Sequence, residues 1–230
     1  MKVTVYVDGQ NLYYGLLKGC NLGLKWLNLY SLFHQLIETY SDVPFSSLFV
    51  KYYTSDILQS YSKHKDSVEA QDKYNRALYH ANGEDKIEII KGKYIAECKF
   101  EKLCENQKEM IKVVKIEEKK TDVKIGIGMY RDALQQHCDA IVLCSNDSDL
   151  VPAVEAIRND FKEIKLAVTL PNKEKGDSNR SSNQLGSQHN WFFKEKIEKS
   201  LLESNQLPTK VSYKKSGGRR TKTICKPERW

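Results

Sequence analysis

Apolar positions along the chain fall into short continuous runs separated by stretches of helical spacing. Residues 3–7 form a β-branched and aromatic run typical of a buried strand. That run closes on Asp8-Gly9, and residues 11–18 follow as a short helix. Leu29, Leu32, Phe33, Leu36 and Ile37 recur at a period near 3.6 and predict an amphipathic helix over 28–40. Residues 47–53 read as the next strand, and 62–81 as an exposed helix stopped by Asn82-Gly83. Strands are expected at 87–90 and 111–116, with a Lys/Glu-rich hairpin extension between them. A helix is expected over 122–137 with Val123, Ile127, Tyr130 and Leu134 as its core stripe. The run Ala140–Cys144 predicts a fully buried strand, 150–159 a helix and 164–169 a further strand. Residues 171–188 are polar and loop-like, and apolar residues return over 191–202. Alternating strands and helices predict a three-layer α/β sandwich around a mostly parallel central sheet.

Charge adds a boundary. The 230 residues carry a formal net charge of +7. Residues 205–230 hold eight basic side chains and one acid, whereas 1–204 hold 29 of each sign. Two parts are therefore expected: a folded domain over 1–204 and a basic, flexible C-terminal tail over 205–230. Lys214, Lys215, Arg219, Arg220 and Lys222 are the tail's expected nucleic-acid contacts, against the plainer reading of a solubilising segment. No run approaches the length needed to span a bilayer, and the N-terminus lacks the pattern of a signal peptide, so a cytoplasmic chain that binds no membrane is expected. Six cysteines without CxxC spacing and five scattered histidines give no zinc signature.

Candidate chemistry lies where a parallel sheet concentrates it, beyond the carboxyl ends of its strands. Asp8 follows the first strand. Asp147 and Asp149, in SNDSD, follow the Ala140–Cys144 strand, and Asp122 opens a helix after EEKKT. Taken singly, each acid has a structural reading as a turn residue or helix cap. Together, four carboxylates from three segments at one sheet edge would repel one another unless a cation lay among them. Oxygen donors without nearby His or Cys favour Mg²⁺ or Mn²⁺, and such a site suits phosphoryl chemistry. Asp8, Asp122 and Asp147 are expected within metal-bridging range, with Asp149 at or just behind them. Asn11 and Ser145 are expected to position carboxylates and substrate. Gly126-x-Gly128 lies inside a helical pattern, so it reads as close packing and not as a dinucleotide loop.

Three blocks carry a family resemblance: VDGQN at 7–11, KKTDVKIGIGMYRDA at 119–133 and LCSNDSDLVPAVEAIR at 143–158. They resemble the signature blocks of NYN domains, PIN-like nuclease domains that include the LabA-like or DUF88 group. The resemblance implies a metal-dependent ribonuclease, endonucleolytic by preference, in which Asp8, Asp122, Asp147 and Asp149 are the catalytic and metal-binding acids. RNA, single-stranded or structured, is the implied partner, and homodimerisation stays open. The alternative is a catalytically silent nucleic-acid-binding or adaptor module on the same fold. A haloacid-dehalogenase-type phosphatase fits less well, because Gln10 stands where its second Asp belongs. Thr121 replaces the Val or Gly common in the family, and Asn146 replaces a frequent Gly, which predicts a left-handed backbone there.

Overall fold

The computed structural model describes residues 1–18, 23–62, 64–105, 108–172, 184–214, 220–228 and 230. Six strands make the central sheet: β1 (Lys2–Asp8), β2 (Ser47–Thr54), β3 (Ile87–Lys91), β6 (Ala140–Cys144), β7 (Lys165–Thr169) and β8 (Phe193–Lys194). Their order is β3-β2-β1-β6-β7-β8, and every neighbouring pair is parallel. From β1 the chain winds outward through β2 and β3, then returns to the sheet centre as β6 and winds outward the other way. The carboxyl ends of β1 and β6 therefore flank the crevice at which the winding reverses.

Strand alternation builds two cores. Val3, Val5, Val7, Val142 and Cys144 face one layer, where α2 (Leu29–Tyr40) and α3 (Ser67–Asn82) cover the sheet. Tyr6, Ile141, Leu143, Leu166 and Val168 face the other, under α4 (Thr121–Leu134) and α5 (Val151–Asp160). The three-layer sandwich follows directly from this two-sided apolar pattern.

α4 buries a different face from the one its apolar periodicity suggests. Val123, Ile127 and Leu134 are exposed, while Ile125, Met129 and Ala133 are buried. Small residues decide the orientation. A Cβ at Gly128 would lie 2.6 Å from Tyr53 Oη, and one at Gly126 would lie 3.1 Å from the Ala153 Cβ of α5. The helix thus approaches β2 and α5 through its glycines. Asp132 fixes the same face, because its buried carboxylate accepts bonds from Tyr6 Oη and Lys51 Nζ.

β4 (Lys93–Lys102) and β5 (Met110–Lys119) form the expected hairpin, a separate two-stranded sheet that leads into α4. Lys120, with φ of 73°, turns the chain at that junction.

The segment from residue 205 onward departs from the flexible tail expected of it. β9 (Lys210–Lys214) and β10 (Thr221–Cys225) pair antiparallel and lie against α3. Leu207, Val211 and Ile224 are buried in the main core, and Trp230 Nε1 donates to the Lys25 carbonyl at 2.7 Å. Ile224 opposes Val211 across the hairpin. Two isolated apolar residues thirteen positions apart create this face only once the strands pair, so no linear pattern announces it. The intervening α6 (Lys199–Ser204) joins β8 to this hairpin. Lys215 and Arg219 lie outside the described residues. No described helix is long and apolar enough to cross a membrane.

Candidate active site

At the crevice, Asp8 ends β1 and caps α1 (Gly9–Leu12). Its Oδ1 accepts from the backbone N–H of Asn11 at 3.0 Å. Its Oδ2 accepts from Asn11 Nδ2 and, at 3.0 Å, from Ser145 Oγ, the first residue beyond β6. Ser145 Oγ in turn accepts from the Asp147 N–H at 3.1 Å, and Asp147 Oδ1 accepts from the Asp149 N–H at 3.0 Å. Asp8 and Asp147 therefore do cap turns, as the plainer reading of each had it. The same bonds link them across the β1–β6 crevice. Asn146 has no left-handed backbone; its side chain instead donates to Asn172 Oδ1 at 3.2 Å.

A cavity of about 260 Å³ opens here, lined by Gln10, Asn11 and Tyr14 on one side and by Glu118, Thr121, Asp122 and Asp147 on the other. Asp8, next to the lining residue Asn11 and bonded to it, is buried, 1% exposed. Burial raises the Asp8 pKa, the bonds from Asn11 and Ser145 oppose that rise, and the nearby Glu118 charge adds to it. Asp122 is pushed up to about 6, first by burial, then by the charges of Asp147, Asp8, Glu118 and Asp149. One carboxyl thus feels four others from three separate segments. Asp149 is exposed, lies outside the cavity lining and donates its N–H to Asp147.

Glu118 is a site residue that the motifs did not single out. It is the penultimate residue of β5, and its Oε1 accepts from Ser55 Oγ and Thr121 Oγ1, both at 2.6 Å. Thr121, the departure from the common family residue, therefore orients an additional acid. Gly92 makes room for this cluster, since a Cβ there would lie 2.4 Å from both hydroxyls. The only linear trace of Glu118 is its place four residues before Asp122 in EEKKTD. The neighbouring Lys119 pairs with Glu117.

The donor chemistry fits a hard divalent cation: carboxylates, an amide and hydroxyls, with no His or Cys lining the cavity. Among the described residues, however, no three His, Cys, Asp or Glu side chains are grouped tightly enough to hold an ion as they stand. Asp122 and Asp147 line one cavity, and the buried Asp8 is joined to Asp147 through Ser145. Like charges hold facing carboxylates apart, and the hydrogen bonds on Asp8 occupy both its oxygens.

A doubly wound parallel sheet with acids gathered at its switch point defines a PIN-like α/β domain. The chain belongs to the NYN domain family, whose model matches residues 2–185, and that family is generally nuclease-like. A relative, the 6-hydroxy-3-succinoylpyridine 3-monooxygenase HspA of Pseudomonas putida (strain DSM 28022 / S16), is 29% identical over 249 residues, covering 100% of this chain and 75% of the relative. A solved structure, the protein of unknown function VPA0982 from Vibrio parahaemolyticus RIMD 2210633, is 18% identical with a TM-score of 0.47, covering 86% of this chain and 93% of that one.

Proposed function

We propose that this chain is a divalent-cation-dependent ribonuclease whose working acids are Asp8, Asp122 and Asp147, assisted by Glu118 and, from behind, Asp149. The observation that carries this reading is Asp122, whose carboxyl is pushed up to about 6 by burial and by four neighbouring acids. Such a concentration of charge is costly without a cation and useful with one. Asp122, Asp147 and Glu118, which line the cavity, would hold Mg²⁺ or Mn²⁺ together with the buried Asp8. When bound, the ion would neutralise phosphate charge and lower the pKa of an attacking water. Asn11 and Ser145 aim Asp8 by donating to it, and Thr121 and Ser55 aim Glu118 in the same way. Tyr14, half exposed on the rim, offers its ring to a base of a single-stranded substrate. The test is cleavage of an RNA panel with Mg²⁺ or Mn²⁺, with chelator, and with Asp147→Asn. Cleavage that survives both chelation and the substitution would overturn the reading.

A second reading is oxygenation of a small hydroxylated heteroaromatic acid. It is favoured by the relative named for such a reaction, because that match extends over the whole chain, beyond the residue at which the family model stops. Oxygen consumption with that pyridine and a reductant, set beside the RNA assay on one preparation, separates the two.

A further inference from the structure

The β4–β5 arm pairs with no other strand among the described residues. Two strands alone are marginal in water, so the surface such an arm presents is informative. Directly opposed residues of an antiparallel ladder share a face, and the register therefore divides the arm into two unlike sides. One side mixes charged residues with Ile95, Ile111 and Val113, and most of its lysines are paired. Lys99 pairs with Glu97 at 3.1 Å, Lys115 with Glu101 at 3.5 Å and with Glu117 at 3.1 Å, and Lys119 also reaches Glu117.

The other side is apolar along its middle. Its opposed pairs are Ala96 with Ile116, Cys98 with Val114 and Phe100 with Lys112. Lys102 and Met110 close it at the tip, and Tyr94 and Glu118 close it at the base. Phe100 is 65% exposed, Met110 49%, Val114 48% and Ile116 43%. A contiguous apolar strip of this kind marks an interaction surface. At its base the strip runs into the acidic cavity, since Glu118 lines that cavity and the Tyr94 hydroxyl lies within the field of Glu118 and Asp8.

We propose that this face binds a second copy of the chain, the two arms packing antiparallel about a two-fold axis so that the tip lysines of each reach the acidic cleft of the other. A two-fold interface must be self-complementary. Here the centre is uncharged, with Cys98–Val114 at its midpoint, and the two ends carry opposite sign. Lys102 and Lys112 lie at the tip, whereas Glu118 lies at the base with Asp122 beyond it. Antiparallel packing brings each end onto its opposite, over an arm about 33 Å long. A nucleic-acid strand fits this side less well. Phe100 is the one strongly exposed aromatic ring on it, and Lys99, Lys115 and Lys119 of the reverse face are held by glutamates. The assembly would place cations from one copy at the site of the other, so each site would be completed by its partner.

The test is sedimentation of the full-length chain across a wide concentration range, which needs no assay of activity. A species of twice 26.6 kDa is expected. Val114→Glu, which alters an exposed side chain, should weaken self-association on the order of a hundredfold while leaving the circular dichroism spectrum unchanged. Lys102→Glu combined with Lys112→Glu should weaken it about tenfold at low salt, with the difference shrinking at high salt. A short bismaleimide should cross-link Cys98 of two copies when Cys20, Cys104 and Cys225 are replaced by Ser. A monomer at every concentration would overturn the proposal, as would a dimer indifferent to Val114→Glu. A dimer indifferent to the lysine reversals would overturn the placement of the tips at the opposite cleft. Loss of RNA binding by the Val114→Glu variant of a monomeric protein would give the face to nucleic acid instead.

Discussion

The hydroxyl of Ser145 donates to Oδ2 of Asp8 at 3.0 Å, joining the ends of β6 and β1 across the crevice where the sheet reverses its winding. The Ser145 oxygen also receives the Asp147 N–H, so one buried serine, 137 residues beyond Asp8, links two acids from separate segments. Ser145→Ala should leave Asp8 its two bonds from Asn11 while the Asp147 N–H loses its acceptor. Turnover is expected to fall by roughly ten- to a hundredfold. The stability cost should be only about 1–2 kcal/mol. Steady-state cleavage beside a urea titration makes the comparison, and unchanged turnover would remove Ser145 from any positioning role.

Asp122→Asn tests the crowding of charge. Near pH 7 the Asp122 carboxyl is mostly ionised, and in the cation-free protein it repels four neighbours. Removing that charge should stabilise the chelator-treated protein by about 1 kcal/mol, a value discounted because the group is partly solvated. The sign follows from the raised pKa: the penalty exists above about 6 and disappears as the carboxyl protonates, so the gain should vanish by about pH 4. Added Mg²⁺ or Mn²⁺ should raise the melting temperature of the parent protein more than that of the variant. Equal shifts in the two proteins would argue that Asp122 does not hold the ion.

Much of this site is legible in the sequence, because Asp8 and Asp147 each follow a continuous apolar strand. A strand end in a parallel sheet is a fixed place in space. Glu118 is not legible in that way. It reaches the cavity through an arm whose alternating Lys and Glu residues look like a solvated surface, and its position is set by Ser55, 63 residues earlier. The face of α4 misleads for a related reason. Periodicity weighs apolar side chains, whereas the contact is chosen by two glycines and a buried Asp132. The C-terminal hairpin hides its core residues singly on opposite strands. In each case the deciding contact is remote in sequence.

Asp132 itself supports a pH prediction away from the cavity. Burial would raise its pKa, but Lys51, at 2.5 Å, together with Tyr6 and His137 holds it below the usual value. A depressed carboxyl stabilises the fold above its unfolded pKa, and that contribution is lost as pH falls through the lower, folded value. Acid unfolding should therefore begin at higher pH in Asp132→Asn than in the parent protein. At pH 7 the variant should lose about 3 kcal/mol by leaving the Lys51 ammonium half-buried without its partner. Urea titrations at pH 7 and pH 3 give the two differences. A loss that is the same at both would show that packing, and not charge, is what Asp132 supplies.

The basic C-terminal segment calls for charge reversal in place of truncation. Cutting after Ser204 would strip Leu207, Val211 and Ile224 from the core and expose the ring face of Tyr74 that packs on Trp230, so a truncated protein should be unstable whatever it binds. Lys214, Arg220 and Lys222 are exposed on or beside the hairpin, and their replacement by Glu leaves the Val211–Ile224 contact in place. Nucleic-acid affinity depends on the number of phosphates neutralised, through counterion release. If this hairpin tracks a phosphate backbone, the triple variant should bind every RNA more weakly, and the slope of log affinity against log salt should flatten by up to about 3. Cleavage at saturating substrate should persist, because the proposed working acids all lie in β1, β5, α4 and the turn after β6. Affinity at several salt concentrations, with turnover at saturation, decides the matter. Parallel salt slopes for parent and variant would leave the hairpin a structural role alone, and lost turnover with intact folding would place its cations at the cleft.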